Sequence, residues 1–258
     1  MPAYVQKIAE GASVMNRKQP GRNYRERDER GCSGATFAGA ATMLLMLAGC
    51  GVRPPHPAQA VSVTAPEGTT PFQLDASASQ IWLYLHADGP MAKVGHSHVL
   101  TTNGLKGSIW LHPQPERSGC AFELPVTALV VDDPQERAAA GGEFAEALDE
   151  GARAGTREHM LGDRQLNASQ YPKVSLQCQS LNVTAEGISA QLNVTLRDRT
   201  SQLSVPVHWQ RTGNTLEASG EFTFTQTSLG IEPYSLLLGA LRVSDPIQAR
   251  FRLVARTP

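Results

Sequence analysis

The sequence predicts an all-β fold of about eight antiparallel strands, closed as a barrel or packed as a sandwich. Three observations carry that expectation. Apolar and polar residues alternate with a period of two in run after run from Ala78 onward. The runs are short and bounded by turn-forming residues. One Ala- and Glu-rich stretch, Pro134 to Asp163, breaks the alternation and reads as one or two short amphipathic helices.

Taken in order, Ser79–His86 is rich in strand formers and stops at Asp88-Gly89-Pro90. Val94–Leu100 and Leu105–His112 follow, with Asn103-Gly104 between them as a hairpin turn. In the next run Cys120, Phe122, Leu124 and Val126 share one face. The helical stretch has Phe144, Leu148, Met160 and Leu161 as its apolar points. Beyond it Val174, Leu176 and Cys178 share a face, as do Ile188, Ala190, Leu192, Val194 and Leu196. Leu203, Val205, Val207 and Trp209 form the next set, after the polar turn Arg197-Asp198-Arg199-Thr200. Leu216, Ala218, Gly220, Phe222 and Phe224 follow Gly213-Asn214, and a last strand aligns Ile247, Ala249, Phe251 and Leu253. Strands with one dry and one wet face belong to antiparallel sheets. Among the dry residues, small ones (Ala190, Ala218, Gly220) stand between large ones (Phe122, Leu176, Val194, Val207, Phe222, Phe224). That mixture leaves room for a tunnel, and it also suits a solid core.

Ahead of the strands, an apolar run from Ala35 to Cys50 follows Arg17, Lys18, Arg22, Arg25, Arg27 and Arg30. It is too short to span a bilayer comfortably and has the length of a secretory h-region. It closes on Leu47-Ala48-Gly49-Cys50, which resembles a bacterial lipobox. Small side chains before the cut admit a peptidase, and only a thiol accepts a diacylglyceryl thioether. Residues 1–49 are therefore expected to be a lipoprotein signal, with Met15 as an alternative start. Cys50 becomes the lipid attachment point, holding the protein to a membrane without a spanning helix. An ordinary signal peptide with an incidental cysteine is the alternative. Residues 50–77, with Pro54, Pro55, Pro57 and Pro66, read as an extended tether, and 78–256 as the β domain. Gly51 after the cysteine, where an Asp often retains lipoproteins at the inner membrane, points to the periplasmic face of the outer membrane.

A formal net charge of -1, with the dense basic tract confined to the expected signal, excludes a nucleic-acid surface. Cys120 and Cys178 remain once Cys32 and Cys50 are set aside. In an exported domain they read as a disulfide or as two buried thiols, and both fall on dry strand faces flanking the helical stretch. His96 and His98 stand two apart, which on one strand puts both imidazoles on one face. Two ligands do not make a metal site, and no Cys or carboxylate spacing completes the set. The pair reads as metal or haem ligands, as donors to a ligand head group, or as ordinary polar residues near the mouth. No nucleophile elbow, P-loop, HExxH or dinucleotide fingerprint occurs, so no catalytic residue and no cofactor is expected.

Several landmarks together resemble one family. Arg157-Glu158-His159-Met160-Leu161, then Leu166 and Tyr171-Pro172-Lys173-Val174-Ser175-Leu176, are similar to the core "D-x-H-L … Y-P-x-I-x-F" of YceI-like proteins. Gly187 to Val207 resembles that family's middle hairpin, and Ser228-Leu229-Gly230-Ile231 with Val243-Ser244-Asp245-Pro246-Ile247 its closing segment. The opening around His96 and the turn Leu196-Arg197-Asp198-Arg199 depart from the family pattern. The resemblance implies a lipocalin-like barrel with one or two helices at its mouth. It also implies an isoprenoid lipid, polyprenyl or quinone-type, bound within, with monomer or dimer left open.

Overall fold

Alternation of apolar with polar residues becomes alternation of inside with outside in the computed structural model, which describes residues 65–184 and 187–258. The strands are β1 (Thr70–Leu74), β2 (Gln80–Asp88), β3 (His98–Thr102), β4 (Lys106–Leu111), β5 (Gly119–Pro125) and β6 (Leu129–Val131). After them come helices α1 (Pro134–Ala140) and α2 (Glu150–Leu161). The chain continues through β7 (Lys173–Thr184), β8 (Gly187–Leu196), β9 (Arg199–Thr212), β10 (Thr215–Thr225), β11 (Ser235–Leu236) and β12 (Leu241–Arg256). Eight strands close a ring in the order β1-β4-β5-β7-β8-β9-β10-β12, because β1 pairs with both β4 and the end of β12. All these pairings are antiparallel. Closure leaves no free edge in the ring. Beside it, β12 also pairs with β2, β2 with β3, and β3 with β6.

The structure thus contains the antiparallel, lipocalin-like barrel that the alternation and the family resemblance implied. Three local expectations are corrected. The β domain starts at Thr70, not at residue 78: Phe72 and Leu74 are buried, and Phe72 packs with Leu216 and Ala255. Proline-rich surroundings hid this five-residue strand, in which only two side chains are buried. The strand expected over Val94–Leu100 begins only at His98, after a 3-10 turn at Ala92–Val94. Asn103-Gly104 is a turn, with Gly104 at φ 84°, but it joins strands that do not pair: β3 lies between β2 and β6, and β4 between β1 and β5. The Asn103 N–H is satisfied instead by Ala128 O at 2.9 Å. The expected signal, Cys50 and most of the tether lie outside the described residues.

Strand β10 is held unequally on its two sides. Its ladder with β12 runs from Thr215↔Arg256 to Thr225↔Pro246, whereas its ladder with β9 ends at Ser219↔His208. Just beyond that point Pro206 of β9 has no N–H to donate. A Cβ on Gly220 would lie 2.2 Å from Pro206 O and 2.7 Å from the Phe251 ring, so only glycine permits this approach. Above it the 3-10 turn Thr227–Leu229 bridges the two strands, with Ser201 Oγ donating to Ser228 O at 2.7 Å.

The helices start where the chain provides caps. Asp133 accepts from the Gln135 N–H at 2.9 Å and precedes Pro134 at the first position of α1; Asp149 accepts from the Ala152 N–H at 2.8 Å for α2. Arg157 on α2 donates to Leu129 O and to Thr127 O, the latter at 2.6 Å, and so pins the helix to the segment around β6.

Candidate functional site

The inward faces of the strands enclose a lumen of about 280 Å³ rather than filling it. Register explains the space. Phe222 stands opposite Ala249, Phe251 opposite Gly220, Leu253 opposite Ala218, and Val205 opposite Ala190. In these four pairs a large side chain meets a small one, so this part of the wall interlocks locally and leaves space along the axis. All six apolar candidates, Phe122, Leu176, Val194, Val207, Phe222 and Phe224, line this space. Phe122, Leu176 and Val194 form one cross-strand row through β5, β7 and β8. Phe222 and Phe224 lie along one wall with ring centroids 5.9 Å apart. Strand β6 adds Leu129, the segment after α2 adds Leu166, and the turn after β10 adds Leu229.

Little in the lining can hold water. Among the lining residues only Thr102 and Ser118 carry hydroxyls, and each already accepts a backbone hydrogen bond, Thr102 Oγ1 from the Ile81 N–H at 3.2 Å and Ser118 Oγ from the His112 N–H at 2.9 Å. A water along most of this wall would lack the two to four partners it needs, so the lumen suits an apolar guest. Cys120 and Cys178, opposite each other in the β5–β7 register, are disulfide-bonded and also line the lumen.

The histidine pair is elsewhere. His96 precedes β3, so the period of two does not apply to it, and neither His96 nor His98 is among the residues lining the lumen. His98 Nδ1 lies 2.7 Å from Asp132 Oδ2, whereas His96 Nδ1 faces Glu146 Oε2 at 3.6 Å. Among the described residues no group of three or more His, Cys, Asp or Glu is placed to hold a metal ion.

What sequence reading missed is the network around Asp132. The Asp132-Asp133 pair reads as a solvated turn into a helix, and Asp133 is that cap. Asp132 is instead 0% exposed, in a left-handed conformation at φ 52°. Its carboxylate accepts from the Val99 N–H at 2.9 Å and from Arg137 Nη1 at 2.6 Å, besides His98. Burial alone would push its pKa up. The hydrogen bonds from His98, the Val99 N–H and Arg137 outweigh that and hold it below the usual carboxylate value. Arg137, 2% exposed, also donates to Ser97 O at 2.7 Å and Glu146 O at 2.9 Å. Ser97 Oγ and His86 Nδ1 both meet Glu143, whose carboxyl is lowered first by the Ser97 hydrogen bond and further by His86. These contacts fasten α1 and the turn after it to the outer face of β2 and β3. No periodic signal announces such a network, because each residue in it sits on a different element.

Comparison with known proteins follows this geometry. No curated protein matches the sequence. Among solved structures, BcnA of Burkholderia cenocepacia superposes with a TM-score of 0.50 at 13% identity, covering 70% of this chain and 99% of BcnA. A polyisoprenoid binding domain from Saccharophagus degradans gives 0.48 at 11% identity, covering 72% and 98%. The YCEI protein of Campylobacter jejuni gives 0.45 at 8% identity, covering 62% and 84%. At these identities the likeness concerns the fold. The sequence itself matches the YceI-like domain over residues 72–255. From β1 to the end of β12, then, the chain belongs to the YceI-like domain family.

Proposed function

We propose that this protein is an envelope lipoprotein whose barrel binds an amphiphilic isoprenoid lipid, polyprenyl or quinone-type, and holds it out of water. The observation that carries the reading is the lumen of about 280 Å³, with its almost wholly apolar walls. Burial of one methylene contributes about 0.8 kcal/mol, so a five-carbon isoprene unit gains roughly 4 kcal/mol before the costs of association. With no charged group among the lining residues, a polar head group is best accommodated outside the lumen, with the chain inside. Membership of the YceI-like family, associated with polyisoprenoid chains, favours an isoprenoid over a straight acyl chain. The lipobox-like Leu47-Ala48-Gly49-Cys50 supports lipid attachment at Cys50 on the periplasmic face of a membrane, the outer one by the Gly51 that follows. Binding rather than catalysis is the role this site supports.

Native mass spectrometry of the protein purified from a bacterial envelope tests the reading. The expected result is a lipid adduct that organic solvent releases and that fragments as repeated isoprene units. A metal adduct, or the bare mass under conditions that preserve the fold, overturns it.

A further inference from the structure

One exposed apolar patch stands outside the lumen and the polar network. Leu236, Leu237 and Leu238 follow one another at the turn between β11 and β12; Leu237 is 63% exposed and Leu238 fully so. Beside them lies the turn after β2, where Met91 and Val94 are also exposed, Val94 by 66%. The two turns are one ordered unit. The Met91 N–H donates to Ala240 O at 2.9 Å, Arg242 pairs with Asp88 at 2.7 Å, and a Cβ on Gly89 would meet Ala240 O at 2.6 Å. Leu237 and Leu238 are both left-handed, at φ 51° and 57°. Leucine is disfavoured there, where asparagine or glycine fits with less strain. Large apolar side chains held in water on a disfavoured backbone call for an apolar partner.

We infer that this tip inserts into the surface of a lipid bilayer and docks the barrel on the membrane. Lys93, exposed within the patch, forms no ion pair among the described residues and suits anionic head groups. The tip is braced against the helical connection: the Tyr234 and His159 rings lie 4.9 Å apart, and Gln165 Nε2 donates to Glu232 O at 3.1 Å, next to lumen-lining Leu166. It therefore belongs to the end of the barrel where that connection covers the lumen. The register of β1 with the last residues of β12 brings the N-terminal segment in at the opposite end. Strand β12, at about 3.3 Å per residue, is roughly 50 Å long. Cys50 to Thr70 reaches roughly 66 Å when extended, enough for a lipid-anchored barrel to turn its tip to the same membrane.

The test uses the mature chain from residue 50 with Cys50→Ser, so that neither an acyl group nor the apolar run before it contributes, and vesicles of phosphatidylethanolamine and phosphatidylglycerol. Leu237→Asn combined with Leu238→Asn is expected to lower vesicle partitioning about tenfold or more, with an unchanged or raised melting temperature. Lys93→Glu is expected to weaken binding to these vesicles and to leave binding to neutral ones unaltered. Equal partitioning of the parent and the double variant overturns the inference. So does a loss, in the variant, of self-association seen in the parent without vesicles, which assigns the patch to a second copy. The inference is independent of lumen cargo: retained lipid mass is expected to be equal in parent and variant. A protein that docks through its tip yet carries no lipid sinks the lumen reading alone.

Discussion

Strand β2 separates two regions built by opposite rules. On one side Ile81 and Leu83 face the lumen, among side chains that touch neighbours along the wall and leave the axis empty. On the other, Trp82 donates to Glu136 at 2.7 Å, and Tyr84 and His86 pack on Phe144 at 5.5 and 5.2 Å, where α1 and the following turn are fastened. Apolar contact has no direction, so a wall of it tolerates a void and accepts guests of varied shape. Hydrogen bonds have direction, and a buried set fixes one arrangement. The barrel thus combines an adaptable interior with a rigid outer clasp.

The sharpest way to break this comparison is to fill the void. Ala190→Phe with Ala218→Phe is expected to abolish retention of the bound lipid, a loss of tenfold or more, read by native mass spectrometry and by an apolar fluorescent probe. Because Ala190 and Ala218 stand opposite Val205 and Leu253, part of the added bulk overpacks the wall, and a loss of about 1–3 kcal/mol per site in denaturant unfolding is expected beside the loss of lipid.

The clasp should respond chiefly in stability. Asp132→Ala leaves the Arg137 guanidinium buried without its carboxylate and is expected to cost about 3–5 kcal/mol in denaturant unfolding. The disulfide between Cys120 and Cys178, in the lumen wall, ranks next. Cys120→Ser with Cys178→Ser should cost about 2–4 kcal/mol, measured against the oxidised protein.

A smaller effect follows from the lowered pKa of Asp132. The folded protein gives up that proton more readily than the unfolded chain. The resulting stabilisation is complete above the unfolded value of about 3.9 and is lost as pH falls through the folded value. Asp132→Asn is expected to flatten that acid loss in melting curves while lowering stability at neutral pH. The smallest effect belongs to His96, which is part-exposed at 3.6 Å from Glu146. His96→Ala should change stability by less than about 0.5 kcal/mol and leave lipid retention unchanged.

Legibility followed element length and period. The long strands β7 to β10 and β12 announced themselves through alternation, and with them the apolar lining. β1, β6 and β11 were too short to show a period, and Pro71 disguised the first of them. The helical stretch expected from Pro134 does begin there, whereas the burial of Asp132 just before it was not legible, because its partners His98, Val99 and Arg137 come from other segments.

By itself the sequence determined which residues point inward, since a strand turns successive side chains to opposite faces whatever its neighbours are. It also marked the two cysteines as facing the same interior. Only the tertiary structure decided that the interior stays open, because that depends on which large residue meets which small one across each seam, as Phe222 meets Ala249 and Phe251 meets Gly220. It likewise decided that His98 belongs to a buried carboxylate outside the lumen. A hydrogen bond between distant segments exists only once folding has brought them within about 3 Å.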